Sequence, residues 1–168
     1  MKNLEEEYIK KLPYRPSVGL MILNSKLEVF VGRRIDSRTE AWQMPQGGID
    51  EGELPENTVF REMKEEIGTD KAEILAQTKQ WYKYDLPSYL INKLWNGRYR
   101  GQRQKWFLLK YLGEDKDINI HEGHAEFTEW KWIKMEELPQ VIVSFKKSLY
   151  ISVIEEFREI LIKLKEGK

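Results

Sequence analysis

Residues 47–69, GGIDEGELPENTVFREMKEEIGT, constrain the chain more than any other stretch. Pro55 suits the first turn of a helix, where a missing N–H costs nothing, and Gly68 suits the left-handed position just past a helix end. Between them Val59, Phe60, Met63 and Ile67 recur at spacings of three and four and form one apolar arc. Glu62, Glu65 and Glu66 follow the same spacing and fall at the edge of that arc. Carboxylates at the margin of a buried face are held close together, where they repel and raise one another's pKa. A hard dication relieves that repulsion, and carboxylate oxygens are its preferred protein ligands. An amphipathic helix with a merely solvated glutamate edge has the same composition, so the helix alone leaves both readings open.

The rest of the chain narrows the class. Its 168 residues suffice for one domain with a sizeable core, and 40% hydrophobic with 33% charged residues is a soluble globular composition. We expect a single domain over residues 1–168. Lys+Arg and Asp+Glu both number 28, so attraction for an anion must come from local clustering rather than net charge. The absence of cysteine excludes disulfides and thiolate metal sites. The first residues, MKNLEEEYIKKLPYRP, lack the apolar core of a signal peptide, and no apolar run approaches a membrane span. The expectation is a cytoplasmic protein with no membrane partner; oligomeric state is not legible.

Strands are expected over residues 17–23 and 27–34, joined by an Asn24-Ser25-Lys26 turn, then over 74–75, 79–84, 102–112 and 129–133. A short turn or helix is expected at 135–139. Leu149, Val153, Phe157, Ile160 and Leu164 mark a C-terminal amphipathic helix of about residues 147–165. The glycines of Gln46-Gly47-Gly48 allow backbone to approach a ligand, and the helix N-terminus behind them favours anions. Between residues 83 and 105, Lys83, Lys93, Arg98, Arg100, Arg103 and Lys105 oppose only Asp85, with Tyr84, Tyr89, Trp95 and Tyr99 interleaved. That mixture suits a polyphosphate or an unpaired nucleotide, and equally a solvated loop over packed aromatics. His121 and His124 flank a glycine and lack the i, i+4 helical spacing of a zinc protease, which argues against a metal pair.

Written as G-x5-E-x7-R-E-U-x-E-E-x-G-U, with U a bulky aliphatic residue, the stretch carries Gly47, Glu53, Arg61, Glu62, Met63, Glu65, Glu66 and Gly68; only Thr69 departs. It resembles the signature of the Nudix hydrolases. Tyr14-Arg15-Pro16, Trp42-Gln43-Met44-Pro45, Tyr84-Asp85-Leu86-Pro87, Gln102-Arg103-Gln104-Lys105-Trp106-Phe107, Glu126-Phe127 and Val143-Ser144-Phe145-Lys146 extend the likeness to the bacterial RNA pyrophosphohydrolase group. That group overlaps with the dinucleoside tetraphosphate hydrolases.

The resemblance implies an α/β (α+β) fold, a mixed β-sheet sandwiched between helices, with the signature forming loop–helix–loop. It implies that Glu62, Glu65, Glu66 and a distant Glu126 bind Mg²⁺ or Mn²⁺, in a number the sequence leaves open. One of Glu65, Glu66 and Glu126 would activate water. Gly47, Glu53 and Arg61 would shape the loop and helix; Arg34 and Lys105 would neutralise phosphates; Arg15, Tyr84 and Phe145 would contact substrate. The expected substrates are 5′-triphosphate or diphosphate RNA, dinucleoside polyphosphates, or both. A hydrolase of free mononucleotides would share the signature. A non-catalytic nucleotide sensor would be expected to have lost acidic positions, which this chain retains.

Overall fold

The computed structural model describes residues 2–35, 40–121 and 126–167. Among the described residues eight strands form one mixed sheet: β1 Tyr14–Leu23, β2 Val29–Arg34, β3 Trp42–Gln43, β4 Gln46–Gly48, β5 Ala72–Gln77, β6 Tyr82–Asp85, β7 Gly101–Tyr111 and β8 Phe127–Ile133. The helices are α1 Lys2–Lys10, α2 Pro55–Ile67, α3 Ser88–Ile91, α4 Leu138–Val141 and α5 Lys147–Glu166. Among the described residues no helix is long and apolar enough to cross a membrane.

The strand period of two sends alternate residues to opposite faces, and each face acquires its own core. Val18, Leu20, Ile22, Phe107 and Leu109 pack with Val59, Met63 and Ile67 of α2. Met21, Leu23, Trp106 and Leu108 pack on the other face with Leu149, Tyr150, Val153 and Phe157 of α5. A sheet with a helix on each side is the expected architecture.

The long parallel pairing of β1 with β7 forms the spine, from Tyr14↔Gly101 to Leu23↔Lys110. By contrast β1 and β2 meet only at Leu23↔Val29. Below that point they diverge: β4 lies along β1 through Ser17↔Gly48, whereas β2 pairs with β3 and β8. The sheet is thus forked, and the fork is where α2 and the opposite face communicate.

Helix α2 follows the sequence closely. Pro55 opens it, and Gly68 closes it at φ 79°, donating its N–H to the Lys64 carbonyl. Other boundaries moved. The second strand starts at Val29 rather than Leu27, because Leu27 adopts φ 60° inside a turn whose Asn24 side chain accepts the Lys26 and Glu28 N–H groups. The strand expected from residue 79 begins at Tyr82, since Thr78 donates its hydroxyl to the Gln80 carbonyl in a turn.

Candidate active site

The loop before α2 and the helix itself are tied together by Arg61. Its guanidinium forms a two-point ion pair with Glu53, at 2.8 Å from both Nε and Nη2, and donates from Nη2 to the Gly48 carbonyl at 2.9 Å. Glu53 also accepts the Thr58 hydroxyl and the Asp50 N–H. These bonds hold the Glu53 carboxyl down at about 2, with Arg61 the largest cause. The remaining guanidinium nitrogen reaches Glu62 at 3.0 Å and Glu65 at 3.3 Å, so one arginine fixes the loop and restrains two of the three helix carboxylates.

Those carboxylates differ in environment. Glu65 is part-exposed. Burial pushes the Glu62 carboxyl up to about 7, against the pull of Arg61. Glu66 is buried, and loss of hydration, followed by the charges of Glu62 and Glu126, raises its pKa well above the carboxylate range. Its Oε2 has no hydrogen-bond partner. Glycine makes the crowding possible: a Cβ on Gly47 would collide with the Glu62 carboxyl, and one on Gly48 with the Arg15 guanidinium.

Glu126 arrives through strand pairing. Phe127 pairs with Arg34 across β8 and β2, and the Glu126 carbonyl accepts the Ile35 N–H at 2.9 Å. Its carboxylate lies 3.7 Å from Arg34 and acts on the charge of Glu66. Among the described residues no three acidic or histidine side chains already converge as a closed metal cage. The unpartnered, buried Glu66 Oε2 is the stronger indicator, because a buried carboxylate oxygen without a hydrogen-bond partner is costly and a dication would satisfy it. The donor set is all carboxylate oxygen, which fits a hard cation. Glu122 and His124 lie outside the described residues.

Across the fork, on the α5 face, a polar cleft adjoins this cluster. Arg15 stacks over Trp95 at 5.1 Å, and Tyr84 meets Phe145 at 5.9 Å. Trp95 and Asn96 both have left-handed backbones, at φ 49° and 58°, an unusual state for two consecutive side-chain-bearing residues. Arg34 acts on both Glu66 and the Tyr84 hydroxyl, and Arg15 on both Glu62 and Tyr84, so two cations span the carboxylates and the cleft. Arg33 instead pairs with Glu129 at 3.3 Å.

A hydrogen-bond relay enters the cleft from the core. The Trp106 indole N–H donates to Gln104 Oε1 at 3.2 Å, and Gln104 Nε2 donates to Gln46 Oε1 at 2.8 Å. An indole can only donate, so it fixes which end of each amide faces inward and leaves the Gln46 amide nitrogen facing the cleft. The Gln46 and Gln102 amides both bond to the Tyr84 hydroxyl, which burial pushes up to about 12. Gln46 and Gln104 were not among the expected site residues. The only signal was polar residues at the alternate, inward positions 102 and 104 of β7.

The structure therefore unites Arg15, Arg34, Tyr84 and Phe145 with the carboxylates through the fork. Lys105 is separated from that cleft. It shares the α2 face with Phe107 and Leu109, whereas Gln102, Gln104 and Trp106 point the other way.

Comparisons with known proteins bear on the family and the fold. A NUDIX domain family model matches residues 13–152. Proteins named RNA pyrophosphohydrolase from Rickettsia typhi and Rickettsia prowazekii are 53% and 52% identical over 161 residues, covering 96% of this chain and 99% of each relative. Among solved structures, Escherichia coli dihydroneopterin triphosphate pyrophosphohydrolase superposes with a TM-score of 0.66 at 21% identity, covering 83% of this chain and 94% of that one. The Caenorhabditis elegans Ap4A hydrolase binary complex gives 0.57 at 20%, covering 82% and 94%. At such identities these likenesses speak for the fold.

Proposed function

The chain belongs to the NUDIX domain family, and from that premise we propose that it hydrolyses a phosphoanhydride bond at the 5′ end of triphosphate or diphosphate RNA, with dinucleoside polyphosphates as a second substrate class. The observation that carries the reading is the buried, unpartnered Glu66 carboxylate oxygen, in a side chain that feels the charges of Glu62 and Glu126, with Arg34 and Arg15 linking the cluster to an aromatic, hydrogen-bonding cleft. The names of the Rickettsia relatives support RNA as substrate. The C. elegans Ap4A hydrolase, a fold neighbour, keeps the second class in view.

Glu62, Glu65, Glu66 and Glu126 would hold the divalent cation on which Nudix hydrolases rely, taken here as Mg²⁺ or Mn²⁺. When bound, such an ion supplies Lewis acidity and acidifies water. The protein's own groups do the rest. Arg34 and Arg15 offset charge on the phosphates, and Gln46 and Tyr84 present hydrogen-bond donors to their oxygens. Phe145 and the Arg15–Trp95 stack hold a base. Water attacks phosphorus, the anhydride P–O bond breaks toward the leaving phosphate, and a carboxylate among Glu65, Glu66 and Glu126 takes the proton. Glu53 and Arg61 keep the loop against the helix throughout. One domain over residues 1–168 carries all of these parts.

Turnover of triphosphorylated RNA and of diadenosine tetraphosphate, each with Mg²⁺ and with Mn²⁺, tests the reading. Release of pyrophosphate from RNA is expected, and it should fall by orders of magnitude in Glu66→Gln while the fold survives. No turnover of either substrate rejects the proposal.

A further inference from the structure

We propose that the α2 face of the sheet, at the end where β6 and β7 pair, is a track for the single-stranded RNA chain beyond the nucleotides held in the cleft. The proposal rests on RNA being the substrate. It gives a place to Lys105, which the cleft leaves out.

The track is built by strand alternation. Arg103 and Lys105 share the face of Phe107 and Leu109, and Lys83 pairs with Arg103 in register. Trp81 is 36% exposed, with the Arg103 guanidinium 4.6 Å and the Lys105 ammonium 5.9 Å from its ring centre. Tyr14 lies between Arg100 at 4.8 Å and Lys83 at 5.1 Å. Arg100 is neutralised by Asp85 at 2.9 Å. Among the described residues no carboxylate pairs with Lys83, Arg103 or Lys105. Three uncompensated cations therefore alternate with two aromatic rings, in a protein of formal net charge zero.

This chemistry suits one partner well. Cations spaced along a strand follow a phosphodiester backbone, and ring faces accept any base by stacking, without hydrogen-bond readout. The position also fits. Val18 pairs with both Gly47 and Lys105, so Lys105 stands two strand spacings, about 10 Å, from the glycine under the Glu62 carboxyl. Tyr14 and Arg15 are consecutive on β1, so cleft and track meet at the start of that strand.

The test compares wild type with Trp81→Ala and with the double variant Lys83→Gln, Arg103→Gln. Substrates are a triphosphorylated dinucleotide and a triphosphorylated unstructured dodecamer; binding of a 5′-hydroxyl dodecamer is followed by anisotropy across salt concentrations. In wild type the dodecamer should have the lower KM. Both variants should raise it about tenfold, toward the dinucleotide value, corresponding to about 1.4 kcal/mol, with dinucleotide kcat and KM unchanged. The slope of log affinity against log salt should fall by roughly 0.7 for each cation removed. Unchanged dodecamer KM and salt slope would overturn the track, as would an equal loss on the dinucleotide. Equal, Trp81-dependent binding of a polyglutamate peptide would overturn it in favour of general polyanion adhesion. If wild type hydrolyses only diadenosine tetraphosphate yet binds the 5′-hydroxyl dodecamer through Trp81, the track stands and the RNA substrate reading falls.

Discussion

Replacing Glu62 by glutamine should stabilise the protein when divalent metal is removed. Burial lifts this carboxyl from its ordinary 4.5 to about 7. The folded chain thus holds the proton more tightly than the unfolded one. Wild-type stability from this group is complete below pH 4.5, declines between 4.5 and 7, and is at its lowest above 7. That span corresponds to about 3 kcal/mol, little reduced by solvent because the side chain is only 12% exposed. Glutamine stays neutral and keeps an oxygen for Arg61, and the rise to about 7 already includes the opposing pull of Arg61 on the charge. The net expectation is a gain of about 3 kcal/mol at pH 8 in EDTA, or roughly 8 °C in Tm for a chain of this size. Urea denaturation at pH 8 and at pH 4.5 measures it, and the advantage should be confined to the higher pH. Added Mg²⁺ should stabilise wild type more than the variant. A variant less stable than wild type at pH 8 in EDTA would refute the reasoning, because pairing with Arg61 would then outweigh the burial of the charge.

Other consequences can be checked separately. Glu53, held down at about 2 from 4.5 by Arg61, contributes stability that is present above pH 4.5 and lost as pH falls toward 2; acid titration should show Glu53→Gln losing less stability than wild type across that window. Gly47→Ala drives a methyl into the Glu62 carboxyl, so activity should drop at least tenfold while the circular dichroism spectrum is retained. Gln104→Met removes the amide that orients Gln46; KM should rise several-fold with kcat little changed, and the same substitution should cost nothing further in a Gln46→Ala background.

Local signals carried much of this structure and pairing signals carried little. The span of α2 and its Gly68 terminus were legible because each depends on residues a few positions apart, whereas the shaping role of Glu53 and Arg61 came from the family resemblance. Strands β3 and β4 were not expected, since two- and three-residue strands have no periodicity and exist only because β2 and β1 lie beside them. The approach of Glu126 to Glu66 depends on the pairing of Phe127 with Arg34, distant in the chain, so residue type alone could not place it. Lys105 shows the reverse case. Alternation along β7 already implied that it and Gln104 face opposite ways, and grouping by composition concealed this.

The single ladder pairing between β1 and β2, Leu23 with Val29, has an evolutionary corollary. Because the strands part there, the carboxylates occupy one side of the sheet and Tyr84 and Phe145 the other, with Arg34 acting across the gap. On the proposed function, bond breaking and recognition of the end group are housed in separate rooms joined by a doorway. Substitutions that refurnish one room need not disturb the other, so a lineage built on this plan can acquire new substrates while its hydrolytic chemistry stays untouched.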